Sequence, residues 1–395
     1  MKFCNSILAG IALLALWGCS GGSMGTPSKQ NPTPNSTHNE WTWVAGSNSA
    51  NPAGVYGTPG TAAPGNTPGG REGAVSWTDA SGNFWLFGGL GLDVNGASEF
   101  LNDLWRYSGG QWTWMGGSKV GIQHQPGVYG IKGTPDPANV PGARSNALSW
   151  TDLSGNSWMF GGSGWDSAGN LGDLNDLWEY SNSNGQWAWM GGANVIGQPG
   201  TYGVMGTPSP VNTPGARFGA SGWVDASGNF WLFGGSSGTN SFQPLNDLWK
   251  FSGGQWTWMS GSNLANQPGM YGIQGTAAPQ NTPGARVTAA TWTDASGTLW
   301  LFGGDGFGSA GNVGEINDLW KFSAGQWTWV SGSNLAGQQG IYGTMGMAAP
   351  GNIPGARSPA ASWQDSSGNL WLLGGLGDDT NKTLGYLSDL WKFQP

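Results

Sequence analysis

Five arginines, Arg71, Arg144, Arg217, Arg286 and Arg357, recur 73, 73, 69 and 71 residues apart, each in a Pro-Gly setting. A guanidinium is a planar fork that binds carboxylate, sulfate or phosphate through paired N–H groups, so five on one face could recognise an anion. Each unit also carries a competing partner inside Asn/Ser-Asp-Leu-Trp: Asp103, Asp176, Asp247, Asp318 and Asp389. One Arg and two Asp per unit make internal pairing easy, and pairing is the favoured reading. A second repeated group is Tyr56, Tyr129, Tyr202, Tyr271 and Tyr342, one in each long Gly/Pro-rich loop. A ring of tyrosines could stack on sugars or grip a peptide. The simpler expectation is that each one pins its own loop to the fold.

Other chemistry is limited by inventory. Loop carboxylates at Asp93, Asp166, Asp173, Asp305, Asp378 and Asp379 could supply oxygens to calcium. No EF-hand or nonapeptide spacing accompanies them, so Asp378 and Asp379 stand only as weak candidates, and no cofactor is expected. The histidines are His38 and His124, and the cysteines are Cys4 and Cys19. The chain beyond residue 19 therefore has no thiol nucleophile, disulfide or Cys-based metal site. A Ser-His-Asp triad would rest on His124 alone, with no Gly-x-Ser-x-Gly elbow beside it. A carboxylate pair for glycoside hydrolysis remains open. Trp165, the one indole in a variable loop, is a candidate for ligand stacking.

The elements that hold these residues are short strands. Gly73 to Trp77 is a small-residue strand suited to the crowded centre of a ring, and Asp79 to Asn83 is a tight turn. Phe84 to Phe87 is a second strand ending in Gly88-Gly89, and Asn102 to Trp105 is a third. Gln111-Trp112-Thr113-Trp114 is a fourth, whose alternation puts both indoles on one face. Units of this kind cannot bury their own faces and must stack on neighbours. The expected fold is all-β: a five-bladed β-propeller of four-stranded antiparallel blades. The last unit stops at Asp389-Leu390-Trp391-Lys392-Phe393 without its fourth strand, and Glu40-Trp41-Thr42-Trp43 stands alone at the other end. Residues 357–395 and 41–70 together make 69, one repeat, so the N-terminal strand is expected to complete the C-terminal blade and close the ring. Short turns then share one end of the ring. The second-to-third and interblade loops share the other, where binding loops belong.

Composition fits. Only 9% of the 395 residues are charged, with 74 Gly and 27 Trp. Twenty-five of those indoles fall five to a unit and read as packing between blades. Residues 1–19 read as a signal peptide: Lys2, then an apolar run from Ile7 to Leu16 too short to span a membrane. Residues 20–40 are a Ser/Gly/Pro/Thr tether, and residues 41–395 the propeller. Leu16-Trp17-Gly18-Cys19 resembles the lipobox of bacterial lipoproteins, which implies lipidation at Cys19 and a place in the cell envelope; Trp17 departs from that motif's small residue. A plain cleaved signal and secretion is the alternative. From Cys19 onward, 13 Lys+Arg face 22 Asp+Glu, which argues against a nucleic-acid partner.

The double glycine after an apolar strand, the polar loop, Asn-Asp-Leu-Trp and the Trp-x-Trp strand resemble the kelch repeat over residues 41–395. Units near 71 residues exceed the kelch norm of about 50, mostly in the segment after the fourth strand. In kelch propellers the arginine at this place often points toward the channel mouth, so the resemblance implies an anion-binding ring. Galactose oxidase is similar in its propeller, but its copper site needs histidine ligands and a Tyr–Cys cross-link, where this chain offers only His38 and His124 and no Cys after position 19. The expected function is that of a surface-anchored, monomeric, non-catalytic module that binds an extracellular protein or glycan through its long-loop face. A polysaccharide hydrolase or lyase using loop carboxylates and a structural envelope protein are the alternatives.

Overall fold

The computed structural model describes residues 49–121, 125–238, 241–365 and 367–395. Lipidation at Cys19, the signal, the tether, the strand at 41–43 and His124 lie outside those residues. All regular structure among the described residues is β.

The first blade sets the pattern. β1 (Arg71–Glu72) and β2 (Val75–Thr78) are two halves of one inner strand, and both pair antiparallel with β3 (Phe84–Leu92). β4 (Ser98–Ser108) and β5 (Gln111–Gly116) follow as a meander. The expected second strand is longer than its apolar residues suggested, because pairing continues through Gly88-Gly89 with a bulge. Side chains are excluded there: a Cβ on Gly88 would meet the Arg144 carbonyl of the next blade at 2.9 Å. The same meander recurs over residues 144–191, 217–260 and 286–331, each with a fourth strand of Gln-Trp-x-Trp. In the last sheet the described strands end with Leu384–Phe393.

Consecutive blades pack face to face. The indole of Trp150 donates to the Trp231 carbonyl, Trp223 to Trp300, and Trp292 to Trp363, each reaching one blade forward. Trp105, Trp178, Trp249 and Trp320 are fully buried within the blades. Each such indole removes apolar area on the order of 150–250 Å² from water, which makes these rings the main source of cohesion. Around the centre, backbone bonds link Asn146 N to Gly73 O, Gly219 N to Asn146 O, and Thr288 N to Gly219 O. The fifth equivalent position is Pro359, which has no N–H to continue the series.

The residues that lengthen each repeat have a structural destination. The loop before each blade folds over the outer edge of that blade's fourth strand. Gly60, Gly133, Gly206 and Gly275 donate N–H bonds to the carbonyls of Trp114, Trp189, Trp258 and Trp329 at 2.7–2.8 Å. Asn66, Asn139, Asn212 and Asn281 donate side-chain bonds to Trp112, Trp187, Trp256 and Trp327. An unpaired edge strand is a template for aggregation, and here a loop covers it.

Candidate functional site

The five arginines head five copies of one buried network. Arg217 donates Nη1 to Asp247 Oδ1 at 2.7 Å and Nη2 to Asp247 Oδ2 at 2.8 Å. Its Nη1 also donates to the Gly234 carbonyl, and its Nε to the Gly215 carbonyl. Tyr202 and Trp249 donate to the same Asp247 Oδ2, each at 2.7 Å. Arg71–Asp103, Arg144–Asp176, Arg286–Asp318 and Arg357–Asp389 repeat this arrangement with Tyr56, Tyr129, Tyr271 and Tyr342.

Local geometry explains why. The Asp stands two residues before its Trp on one strand, so carboxylate and indole share a face. The arginine stands at the start of the inner strand, opposite the second half of the next strand, which brings its fork over the double glycine. Its backbone serves the neighbouring blade: Gly162, Gly235 and Gly304 donate to the carbonyls of Arg217, Arg286 and Arg357. The arginine thus ties its own blade by its side chain and the preceding blade by its main chain.

This placement corrects the idea of an anion-recognising ring. Arg144, Arg217, Arg286 and Arg357 are 1% exposed, and their forks are committed to carboxylate and carbonyl oxygens. Burial works against the charged guanidinium of Arg217, but Asp247 more than offsets it and holds the group charged. The tyrosines are likewise interior pins. Burial and then the Asp247 charge push the Tyr202 hydroxyl well above the ordinary phenol range, so it stays a donor. At Asp389 burial would raise the carboxyl, yet hydrogen bonds from Arg357, Tyr342 and Trp391 bring it down to about 2.

The loop carboxylates divide into two kinds. Asp93 and Asp166 are buried turn organisers: Asp166 Oδ1 accepts from Ala168 N and Asn170 N, and its Oδ2 from Ile196 N. Asp379 accepts from Asn381 N and Thr383 N through Oδ1, which gives it a role in its own turn. Asp378 lies beside it and is buried, and among the described residues no cluster of three metal-ligating groups occurs. Trp165 ends the strand Ser157–Trp165, next to the Asp166 turn, and is half-buried. Asp173 and Asp305 are different. Burial pushes Asp173 up to about 6, against the pull of the Gly238 N–H that donates to it. Burial and then Glu315 push Asp305 up to about 6. Asp305 and Glu315 face each other across two strands of the fourth blade.

One set of functional residues escaped the sequence reading. Asn175, Asn246 and Asn317, which precede the network aspartates, bridge both ends of the following interblade loop. Asn317 Oδ1 accepts from Ser333 N and its Nδ2 donates to the Pro354 carbonyl. Asn175 and Asn246 repeat the pair. The available signal was the Asn that stands before the network Asp in four of the five units, with Ser388 in the fifth.

No family model matches the chain, and no curated protein matches it. Among solved structures, one titled "Structure of YjhT" is similar, with a TM-score of 0.49 and 15% identity over 82% of this chain and 81% of that one. A likeness at this level carries nothing about ligand or activity.

Proposed function

We propose that this chain is a non-catalytic binding propeller that engages a protein or glycan through its long-loop face. One observation carries the reading: an interior repeated blade by blade supports a loop face that is not repeated. Just beyond the double glycine, the cross-strand pairs are Leu90 with Phe100, Ser163 with Asp173, Ser236 with Pro244, Asp305 with Glu315, and Leu376 with Tyr386. Blades two and four bring acids to this level; blades one and five bring apolar and aromatic groups. Tyr386 is 93% exposed. A repeated scaffold with divergent loops is how rigid folds present recognition surfaces. Export and a lipid anchor at Cys19 belong to the same reading and rest on the sequence of residues 1–40 alone.

The test is a binding screen of the full chain against cell-envelope glycans and extracellular proteins, with Tyr386→Ala and Phe100→Ala beside it. Loss of a saturable interaction in either variant, with unchanged melting, supports the reading. Binding indifferent to every long-loop substitution would sink it.

A second reading has its own support. Burial and then the Glu315 charge push Asp305 up to about 6, and a carboxyl with raised proton affinity beside a second carboxyl suits the general-acid role in glycoside hydrolysis. Turnover of a polysaccharide by the wild type, abolished in Asp305→Asn, would favour it over simple binding.

A further inference from the structure

Two residues break the internal repeat, and both line one cleft. The second-to-third loops share a tight turn whose fourth position is Gly96, Gly169 or Gly311 in blades one, two and four, at φ of 77°, 77° and 75°. In the fifth blade that position is Lys382, at φ 60°, a conformation side chains rarely adopt. The turn does not need a lysine there, since glycine fills it in the sister loops. The second departure is Gln339, where the three preceding interblade loops carry Pro126, Pro199 and Pro268. Lys382 and Gln339 come from segments more than forty residues apart, yet they border the same cavity of about 370 Å³.

Asn317 and Ser333 also line the cavity, with Gln338 and Ile341. Asn317 is spent on the loop, as described above, and Gln338 donates Nε2 to the Ala336 carbonyl. Ser333 accepts from Leu335 N through Oγ, which leaves its hydroxyl hydrogen to donate. Lys382 forms no ion pair among the described residues. The cleft is therefore lined by one cationic residue, a hydroxyl and two glutamines with unspent amide groups, beside two isoleucines, Ile341 and Ile353. This donor set suits a sugar carrying a carboxylate: the ammonium pairs with the charge, amides and hydroxyl meet ring hydroxyls, and the aliphatic wall meets the C–H face of a pyranose. We infer that the cleft between the fourth and fifth blades is a subsite for a uronic-acid residue of an acidic polysaccharide. The inference rests on the binding reading and narrows it to one ligand class and one place.

The test uses the full chain and calorimetric titration with trigalacturonate and the equally linked neutral trigalactose. The variants are Lys382→Gly and Gln339→Pro, each restoring what the sister loops carry, so folding is protected. The acidic trimer should bind at least tenfold more tightly than the neutral one, with affinity falling as salt rises. Lys382→Gly should weaken it at least tenfold and Gln339→Pro a few-fold, both with unchanged or raised melting temperature. Equal binding of the two trimers, an unaffected Lys382→Gly variant, or no binding of the acidic trimer would overturn the inference. If the chain binds another ligand and loses it in Tyr386→Ala but not in Lys382→Gly, the cleft assignment falls while the long-loop reading stands. If nothing binds, both fall.

Discussion

The fifth sheet and the four before it carry the same polar network but a different burial. Arg357 grips Asp389 through two bonds, and Tyr342 and Trp391 donate to the same oxygen, as in every other blade. Yet Trp363 is 42% exposed, where its counterparts Trp77, Trp150, Trp223 and Trp292 are buried against the next blade. Leu390 is 55% exposed, and its counterparts Leu104, Leu177, Leu248 and Leu319 are buried. The network is assembled from one loop and three strands of a single unit, so each unit makes its own. Apolar burial is not local: it needs a neighbouring face and a fourth strand, and the described part of the fifth sheet has neither a fourth strand nor a cover on Trp363.

That contrast can be broken first at the ion pairs. Arg217→Ala leaves Asp247 buried without its counterion and should cost about 3–5 kcal/mol by chemical denaturation. Arg357→Ala should cost less, because the Asp389 side chain is already 16% exposed and water can reach it. Equal losses would mean that the two networks share one environment. Packing gives the next effect. Trp223→Ala removes a buried indole and its bond to the Trp300 carbonyl, for about 3–5 kcal/mol, whereas Trp363→Ala should cost under half as much. A large loss at Trp363 would show that its face is covered in the intact chain.

Loop attachment should come third. Asn246→Ala frees both ends of the loop after the third blade, leaving the Pro283 carbonyl and Ser262 N without their side-chain partner, at about 1–3 kcal/mol. Ser388→Asn, where no loop contact of this kind is seen among the described residues, should change the denaturation midpoint little.

The smallest effect is pH-dependent. Asp173 titrates near 6 in the fold and near 3.9 when unfolded, so the native state holds the extra proton between those values. Its contribution is complete below about pH 4 and is lost as pH rises through 6; Asp173→Asn should flatten that decline. Asp389 runs the other way: its folded value of about 2 gives stability that is present above about pH 4 and fades as pH falls through 2. A pH profile unchanged in Asp173→Asn would show that this carboxyl is solvated.

Much of the architecture was legible in residue order. Asp79 and its four equivalents read as turn residues and prove to be so, with Ser81 N and Asn83 N donating to Asp79 Oδ1. What could not be read is that Asp79 Oδ2 also accepts the Trp85 indole N–H, since that depends on how the hairpin twists. The pairing of Arg71 with Asp103 was foreseeable from stoichiometry; their joint burial with Tyr56 was not. The extra residues of each repeat were visible as an excess, but Asn139 meets the Trp187 carbonyl 48 positions later, and nothing in the order of residues announces that contact. Lys382 and Gln339 passed unnoticed for the same reason: each is a small departure in its own loop, and only their shared cleft gives them a joint meaning.

Sequence by itself determined the unit, its strand order and the all-β class, because periodicity and residue type are local properties. Only the tertiary structure decided that the repeated arginines and tyrosines face inward, that the long loops cover strand edges, and that the blade-specific residues gather on the loop face. Those outcomes depend on contacts between residues 30 to 80 positions apart, and such contacts exist only once the strands have set the path of the chain.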